Sequence, residues 1–389
     1  KLDQLTLPSE LTDIGESCFE SCYNLHTINI PSKVKQVSKG AFKTCIHLKT
    51  VTIESGVTSL GNEAFSNCIA LTQIQIPGSV TSISELLFYN CSSLTTFEIP
   101  DGVTEIQGSS FESCLNLNTV TISKSVVSVS PTSFVNCPKL SAFSVDSGNS
   151  QLKSVNGVLI STSNDEMTLV NYPPSKSDDT FVIIDGITSI SSYAFLDNNN
   201  LKSIEVPATV KSIGWYAFYN CNSLESLTIS SSVQKIPVKA VASCVKLSTV
   251  IVNSELITIQ DFGFANNGVL QTFWYYGTKN PECGLDVFAH CNNLKTVYVT
   301  ENYQGDNFCG IDVSTVPSPT SEPTIPLPTT VPPTDSPDDS GKSNKTVVIV
   351  SVTISCVIIV AATILVILYV MKKKKAKSAT IDKLPLIST

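Results

Sequence analysis

A 23-residue period runs through most of this chain with almost no slip. Phe19, Phe42, Phe65, Phe88, Phe111 and Phe134 stand 23 apart, as do Cys22, Cys45, Cys68, Cys91, Cys114 and Cys137. After an interruption the register returns at Phe195, Phe218, Val241 and Phe264, then at Phe288 after one extra residue. A fixed period of this length implies a solenoid, in which each repeat buries its apolar face against its neighbours. A solenoid with no grafted catalytic site is a surface for binding.

The repeat reads Leu-x-x-Ile-x-Ile-Pro-x-x-Val-x-x-Ile-x-x-x-Ala-Phe-x-x-Cys-x-x, and Leu71 to Cys91 is a clean copy. Ile74 and Ile76 alternate with polar residues, which predicts a short strand with both facing the core. Pro77 and its equivalents Pro8, Pro31, Pro100 and Pro207 stop the strand, since proline offers no N–H to a ladder. A second extended stretch follows at Val80 to Ile83. The run from Asn62 to Cys68 has the length of one or two helical turns, so each coil is expected to be strand, turn, extended segment and short helix. That makes the expected fold class an α/β solenoid of about twelve coils with a parallel strand face. The strand signature begins at Leu2 and recurs through Leu140, then from Leu201 to Leu294.

Residues 146–182 break the register. Gly157–Ile160 and Met167–Val170 flank Ser163-Asn164-Asp165 and read as an inserted β-hairpin ended by Tyr172-Pro173-Pro174. Such a hairpin could project as a contact element or splice two arrays together. The solenoid is expected over 1–312, with Lys1 falling inside a coil, so the start is expected to be a processed or truncated end.

Beyond it the composition changes. Eight prolines between Pro317 and Pro337, interleaved with Thr and Ser, predict an extended stalk over 313–345. Thr346 to Met371 then gives 26 residues without a charge, followed at once by Lys372, Lys373, Lys374 and Lys375. This length suits a membrane-spanning helix. The one-sided lysines orient it with the repeats outside and residues 372–389 in the cytoplasm. The expected location is the plasma membrane, single-pass. Asp382, Leu386 and Ile387 fit an acidic dileucine sorting pattern, to which cytoplasmic sorting adaptors would bind. The blander reading is a chance match to a short motif. Asn90-Cys91-Ser92 and Asn344-Lys345-Thr346 are glycosylation sequons, the first on a core position and the second against the membrane.

There is no arginine among the 25 basic residues. Residues 1–345 hold 19 Lys against 32 Asp and Glu, a net of about −13. An acidic surface without guanidinium forks is poorly suited to phosphate or sulfate, so nucleic acid is not an expected partner. Nine of the 13 cysteines share one repeat position. Stacked equivalents would lie roughly 4.8 Å apart. Their near-parallel Cβ vectors do not suit a bridge, so buried free thiols are expected. Asn198 and Asn267 replace Cys at two ladder positions, which suggests a small, weakly polar slot. Cys283 and Cys309 lie off the ladder and are candidates for a terminal disulfide.

The pattern Ala-Phe-x-x-Cys-x-x-Leu-x-x-Ile-x-Ile-Pro, nearly complete from Asn62 to Pro77, resembles the BspA-like, Treponema-type leucine-rich repeats over about residues 1–300. The resemblance implies a surface protein of bacteria or of parasitic and mucosal protists, associated with adhesion to host cells and extracellular-matrix proteins. The stalk, span and tail look like the protist version. The function expected is therefore a cell-surface adhesin or receptor for protein or glycan ligands on host cells or matrix. The alternative is a passive coat protein without a specific ligand.

Catalysis has little to rest on. His26, His47 and His290 occupy different repeat positions and are not expected to stack, and no nucleophile, zinc or P-loop motif occurs. Neither an enzyme nor a cofactor or metal is expected. The outward strand positions are more informative. One column is almost all small hydroxyl residues, from Thr27 and Thr50 to Thr272 and Thr296, which fits a sheet surface. The next runs Asn29, Thr52, Gln75, Glu98, Thr121, Ser144, Glu205 and Thr228, then turns to Ile251, Trp274 and Tyr298. Together with Tyr276 these are candidate ligand-binding residues, since Trp and Tyr dominate interface energetics. The structural alternative is an apolar shoulder covered by a C-terminal cap.

Overall fold

A computed structural model of the chain describes residues 5–163 and 166–316. They form a β-solenoid in which successive coils stack in parallel register. Thr27–Ile30 pairs with Thr50–Ile53, which pairs with Gln73–Gln75. Thr96–Ile99, Thr119–Ile122 and Ala142–Val145 continue the face. A longer sheet then carries parallel strands from Thr180–Val182 to Ile311–Val316. Every partner in the first block is offset by the repeat, as in Thr27↔Thr50 and Ile28↔Val51. The alternating pattern of exposed and buried side chains is the one read from Ile74 and Ile76, although Ile74 itself is only partly buried.

A second, shorter ladder runs along the extended stretch. It includes Asp13–Ile14, Gln36–Val37 and Ser59–Leu60, and later Ser212–Ile213 and Thr258–Ile259. Pro237 interrupts it after Ile213, because at that position the ladder needs an N–H that proline lacks. This ladder also breaks between Ser59–Leu60 and Ser82–Ile83, where the Ser84 hydroxyl caps the Leu60 carbonyl. The strand face breaks one coil later, between Gln73–Gln75 and Thr96–Ile99.

No α-helix occurs among the described residues, which corrects the expected α/β class to an all-β solenoid. The Ala-Phe-x-x-Cys run has helical length but not helical dihedrals. The residue before each ladder cysteine is left-handed, with φ of 61° at Thr44, 60° at Asn67 and 56° at Asn90. A second left-handed residue lies four earlier, as at Gly40 and Glu63. Two such residues in one short run prevent an α-helical turn. The run instead forms a third ladder, in which alternate N–H groups bond the next coil. Gly40 donates to Asn62 O, Phe42 to Ala64 O and Thr44 to Ser66 O, at 2.9, 2.9 and 2.7 Å. The intervening N–H groups close local turns, such as Lys43 to Gly40 O. These bonds pair the backbone of this edge without a helix.

The core is a set of stacked columns. Phe19, Phe42, Phe65, Phe88, Phe111 and Phe134 stack ring on ring with centroids 5.2 to 6.0 Å apart. Each ladder thiol from Cys45 to Cys137 donates to the carbonyl of the Phe 26 residues back, at 3.1 to 3.2 Å. Asn267 makes the same bond, its Nδ2 reaching Val241 O at 2.8 Å, whereas Asn198 in the same slot uses its Oδ1 to accept from the Asn200 and Leu201 N–H groups. These thiols are free.

The insertion is smaller than 146–182. Tyr172 stands 23 residues before Phe195 and stacks on it at 5.1 Å, with its N–H on Ala194 O, as Phe42 does on Ala64 O. The register therefore resumes at Tyr172. The coil it leads contributes Thr180–Val182, a strand that the Leu signature skips because Asp178 holds the Leu position. The inserted segment is a meander of Leu152–Val155, Val158–Ser161 and Met167–Asn171, with the last strand paired in parallel to Ile187–Ile190. It is built into the sheet and joins the two hydrophobic cores. Splicing, not projection, is its role.

Candidate functional site

The outward column of the strand face is the candidate site. The sheet register aligns Thr228 with Ile251, Ile251 with Trp274, Trp274 with Tyr298 and Tyr298 with Ser314. Trp274 sits between the buried Phe273 and Tyr275, so strand alternation turns its indole outward. Its ring stacks on Tyr298 at 4.8 Å and 26°, and on Tyr276 at 6.3 Å and 20°. All four predicted residues, Ile251, Trp274, Tyr276 and Tyr298, are half-buried and adjacent. Burial raises the pKa of the Tyr276 phenol, keeping it a neutral hydroxyl.

The C-terminal strand adds beside this column and does not lie over it. Ile311–Val316 pairs edge to edge with Val297–Thr300, and exposed Ser314 continues the column past Tyr298. The last described strand of the array is thus Ile311–Val316. The end is closed from below: Phe308 is fully buried against Phe273 and Tyr275, and Cys283 is joined to Cys309 with their Cα atoms 5.6 Å apart. The Tyr275 hydroxyl, which donates to Lys279 O and accepts from Leu256 N, belongs to this cap.

Around the aromatic stack the outward positions Thr249, Asn253, Thr272 and Thr296 are neutral, and one exposed carboxylate, Asp312, stands on the last strand just before Val313, the partner of Val297. A ligand held here would be held by ring contact, apolar burial and neutral hydrogen bonds. Among the described residues no cluster could hold a metal ion. The histidines differ from expectation in one respect. His26 and His47 do stack, at 5.9 Å and 18°, because the two neighbouring coils bring these edge positions together. Their Nδ1 atoms face the Asn24 and Tyr23 carbonyls.

Other expected positions fall differently. Asn90 is half-buried in a left-handed turn, with its amide donating to Asn67 Oδ1 at 2.9 Å. Asn344, the lysines from Lys372 to Lys375 and the Asp382, Leu386 and Ile387 motif lie outside the described residues. So do nearly all of the stalk and the whole apolar segment. Among the described residues no helix is long and apolar enough to cross a membrane. One functional candidate escaped the sequence reading: the second tryptophan, Trp215, is 58% exposed on the turn edge. Its repeat position holds Glu16, Lys39, Asn62, Glu85, Gly108 and Pro131 in the N-terminal coils, none of them aromatic, and that contrast was available as a signal.

Comparisons with known proteins agree with this architecture. A leucine-rich cell surface protein from Faecalibacterium prausnitzii superposes with a TM-score of 0.59 at 28% identity, over 74% of this chain and 83% of that one. A leucine-rich repeat protein from Eubacterium ventriosum gives a TM-score of 0.63 at 21% identity, over 77% and 85%. The pneumococcal vaccine antigen PcpA gives 0.56 at 20%, over 77% and 75%. The last two are similar in fold alone. No curated protein matches the chain significantly. The family description "BspA type leucine rich repeat region" matches residues 1–94, 58–163 and 176–306, in 6 copies. Together with the stacked coils these matches place the chain in the BspA-type leucine-rich repeat family.

Proposed function

We propose that this protein is a cell-surface adhesin or receptor. Its solenoid binds a protein or glycan ligand of host cells or extracellular matrix through the strand face. The observation that carries the reading is the stack of Trp274, Tyr276 and Tyr298 beside Ile251, on an outward column left uncovered by the last strand. A surface location is supported by the likeness to a bacterial cell surface protein and by the apolar segment with its cluster from Lys372 to Lys375. In this reading the proline-rich segment holds the array away from the bilayer, and the tail faces the cytoplasm.

A site of this composition binds by apolar burial, so its affinity depends weakly on salt. The test is binding of the full chain to host cells, matrix proteins and an array of neutral glycans. Trp274→Ala is expected to weaken binding by about 2 kcal/mol or more, roughly thirtyfold. Circular dichroism should stay unchanged, because the indole lies on the sheet surface. A variant that binds as tightly as the parent would remove the strand face as the contact surface. A chain that binds nothing in these panels would favour the passive-coat reading.

A further inference from the structure

The turn edge changes character across the insertion. In the N-terminal coils it carries charge: Lys39 lies 3.7 Å from Glu63, and Lys43 also pairs with Glu63. In the C-terminal coils the same edge carries Tyr193, Trp215, Tyr216, Tyr219 and Phe262, with Lys239 among them. Tyr193 and Tyr216 stack at 5.2 Å and 10°, and Tyr219 meets Tyr216 edge-on at 5.3 Å. The Lys239 ammonium lies 5.7 Å from the Tyr216 ring and 5.5 Å from the Phe262 ring. Unlike Lys39 and Lys43, it has no carboxylate partner among the described residues.

These side chains sit in unfavourable backbone. Tyr193, Tyr216, Lys239 and Phe262 have φ of 62°, 56°, 49° and 58°. Ser17, Gly40, Glu63, Leu86 and Ser109 fill the equivalent slot in the N-terminal coils, and the exposed Asp286 fills it in the coil after Phe262. Bulky residues are disfavoured in the left-handed region, by roughly 1–2 kcal/mol each, yet four successive coils retain them. Folding does not need rings here, because the N-terminal coils build the same turn without them. The left-handed turn belongs to the repeat as a whole; what sets these coils apart is aromatic side chains held exposed or half-buried on one edge, and that points to a role in recognition.

We propose that this edge is a second binding surface, for polypeptides that present a carboxylate beside an apolar side chain. Lys239 supplies the charge complementarity. Trp215 and Tyr219 supply the aromatic anchors that dominate protein interfaces. A sugar is a poorer fit, because a pyranose needs a free ring face. Here Tyr193 and Tyr216 stack on each other, and Lys239 lies over Tyr216 and Phe262. The surface is separate from the Trp274 column and independent of the ligand bound there.

The test uses the full chain and short synthetic peptides built on Leu-Glu-Leu. Matched Leu-Gln-Leu peptides, a sialylated oligosaccharide and a neutral oligosaccharide are assayed in parallel by fluorescence anisotropy. The Glu peptides are expected to bind about tenfold more tightly than the Gln peptides, as for a charge-assisted contact. Lys239→Met should abolish that preference. Trp215→Ala, at a site exposed enough to leave the fold intact, should weaken both peptides about tenfold. Trp274→Ala should change neither. The proposal is overturned if Glu and Gln peptides bind equally, or if neither edge variant has an effect. It is equally overturned if Trp274→Ala abolishes peptide binding, or if the sialylated sugar binds and the peptides do not.

Discussion

At the scale of single residues, the ladder cysteine shows how one position serves packing and hydrogen bonding together. Its thiol fills a small slot as a hydrophobe would, and its S–H caps a carbonyl of the coil below. Burial raises these thiols, to about 12 at Cys45 and Cys137 and about 11 at Cys291. In the unfolded chain they titrate near 8.5. A raised folded value means that the stabilisation is complete below about pH 8.5 and is lost as pH climbs toward about 12, because only the unfolded state ionises in that window. The array should therefore unfold progressively in alkali, measured by circular dichroism from neutral pH upward. Mass spectrometry after alkylation at neutral pH should label exposed Cys18 and spare Cys68, Cys91 and Cys114 until denaturant is added. Labelling of those three in the native chain would contradict the packing described.

At the scale of the element, the inserted meander turns on two residues. Asn156 and Gly157 have φ of 51° and 82° and link Leu152–Val155 to Val158–Ser161 in a two-residue hairpin. The primed turn matches the strand twist, which is why Asn-Gly occupies it. Gly157 also lies against the neighbouring coil, where an added Cβ would stand 3.1 Å from the Ala142 Cβ. Its carbonyl accepts from Phe143 N–H at 2.9 Å. Gly157→Val combines a disfavoured dihedral with a steric clash. It should lower stability by about 2 kcal/mol or more, visible as a lower thermal midpoint. The same substitution at Gly15, with no positive φ and open space at its Cβ, should change the midpoint little. Equal effects at both sites would mean that the hairpin does not join the arrays as described.

At the scale of the whole molecule, a solenoid is a sum of nearest-neighbour contacts, so its ends are its weak points. The C-terminal end is closed by the Cys283–Cys309 disulfide and by Phe308. Beyond Val316 the proposal places a stalk, one membrane span and a cytoplasmic tail. Protease applied to intact cells should remove the repeat region and spare an epitope at residues 378–389. Loss of the tail epitope with the repeats protected would reverse the proposed orientation. Loss of both would argue against a membrane anchor.

What the sequence by itself determined is the part that repeats. Spacing alone identified the stack, the inward Phe and Cys columns and the outward position of Trp274, because translation along a solenoid makes equal positions equivalent. The pairing of Gly157–Ile160 with Met167–Val170 was also legible, as two apolar runs flanking a polar turn. What the sequence left open depended on dihedrals and on neighbours in space. The turns of Ala-Phe-x-x-Cys have the length and composition of a short helix. Only the left-handed φ at residues such as Thr44 and Asn67 shows that their N–H groups bond the next coil. Tyr172 was read as the end of the hairpin because Asp178 and Ser175 replace the Leu and Cys that mark a coil. The stacked ring of Phe195 is what restores its register. His26 and His47, offset in sequence phase, meet because two loop edges bend together. The exposed aromatic edge around Trp215 also required the folded chain, since residues from four coils form it and no single repeat contains it.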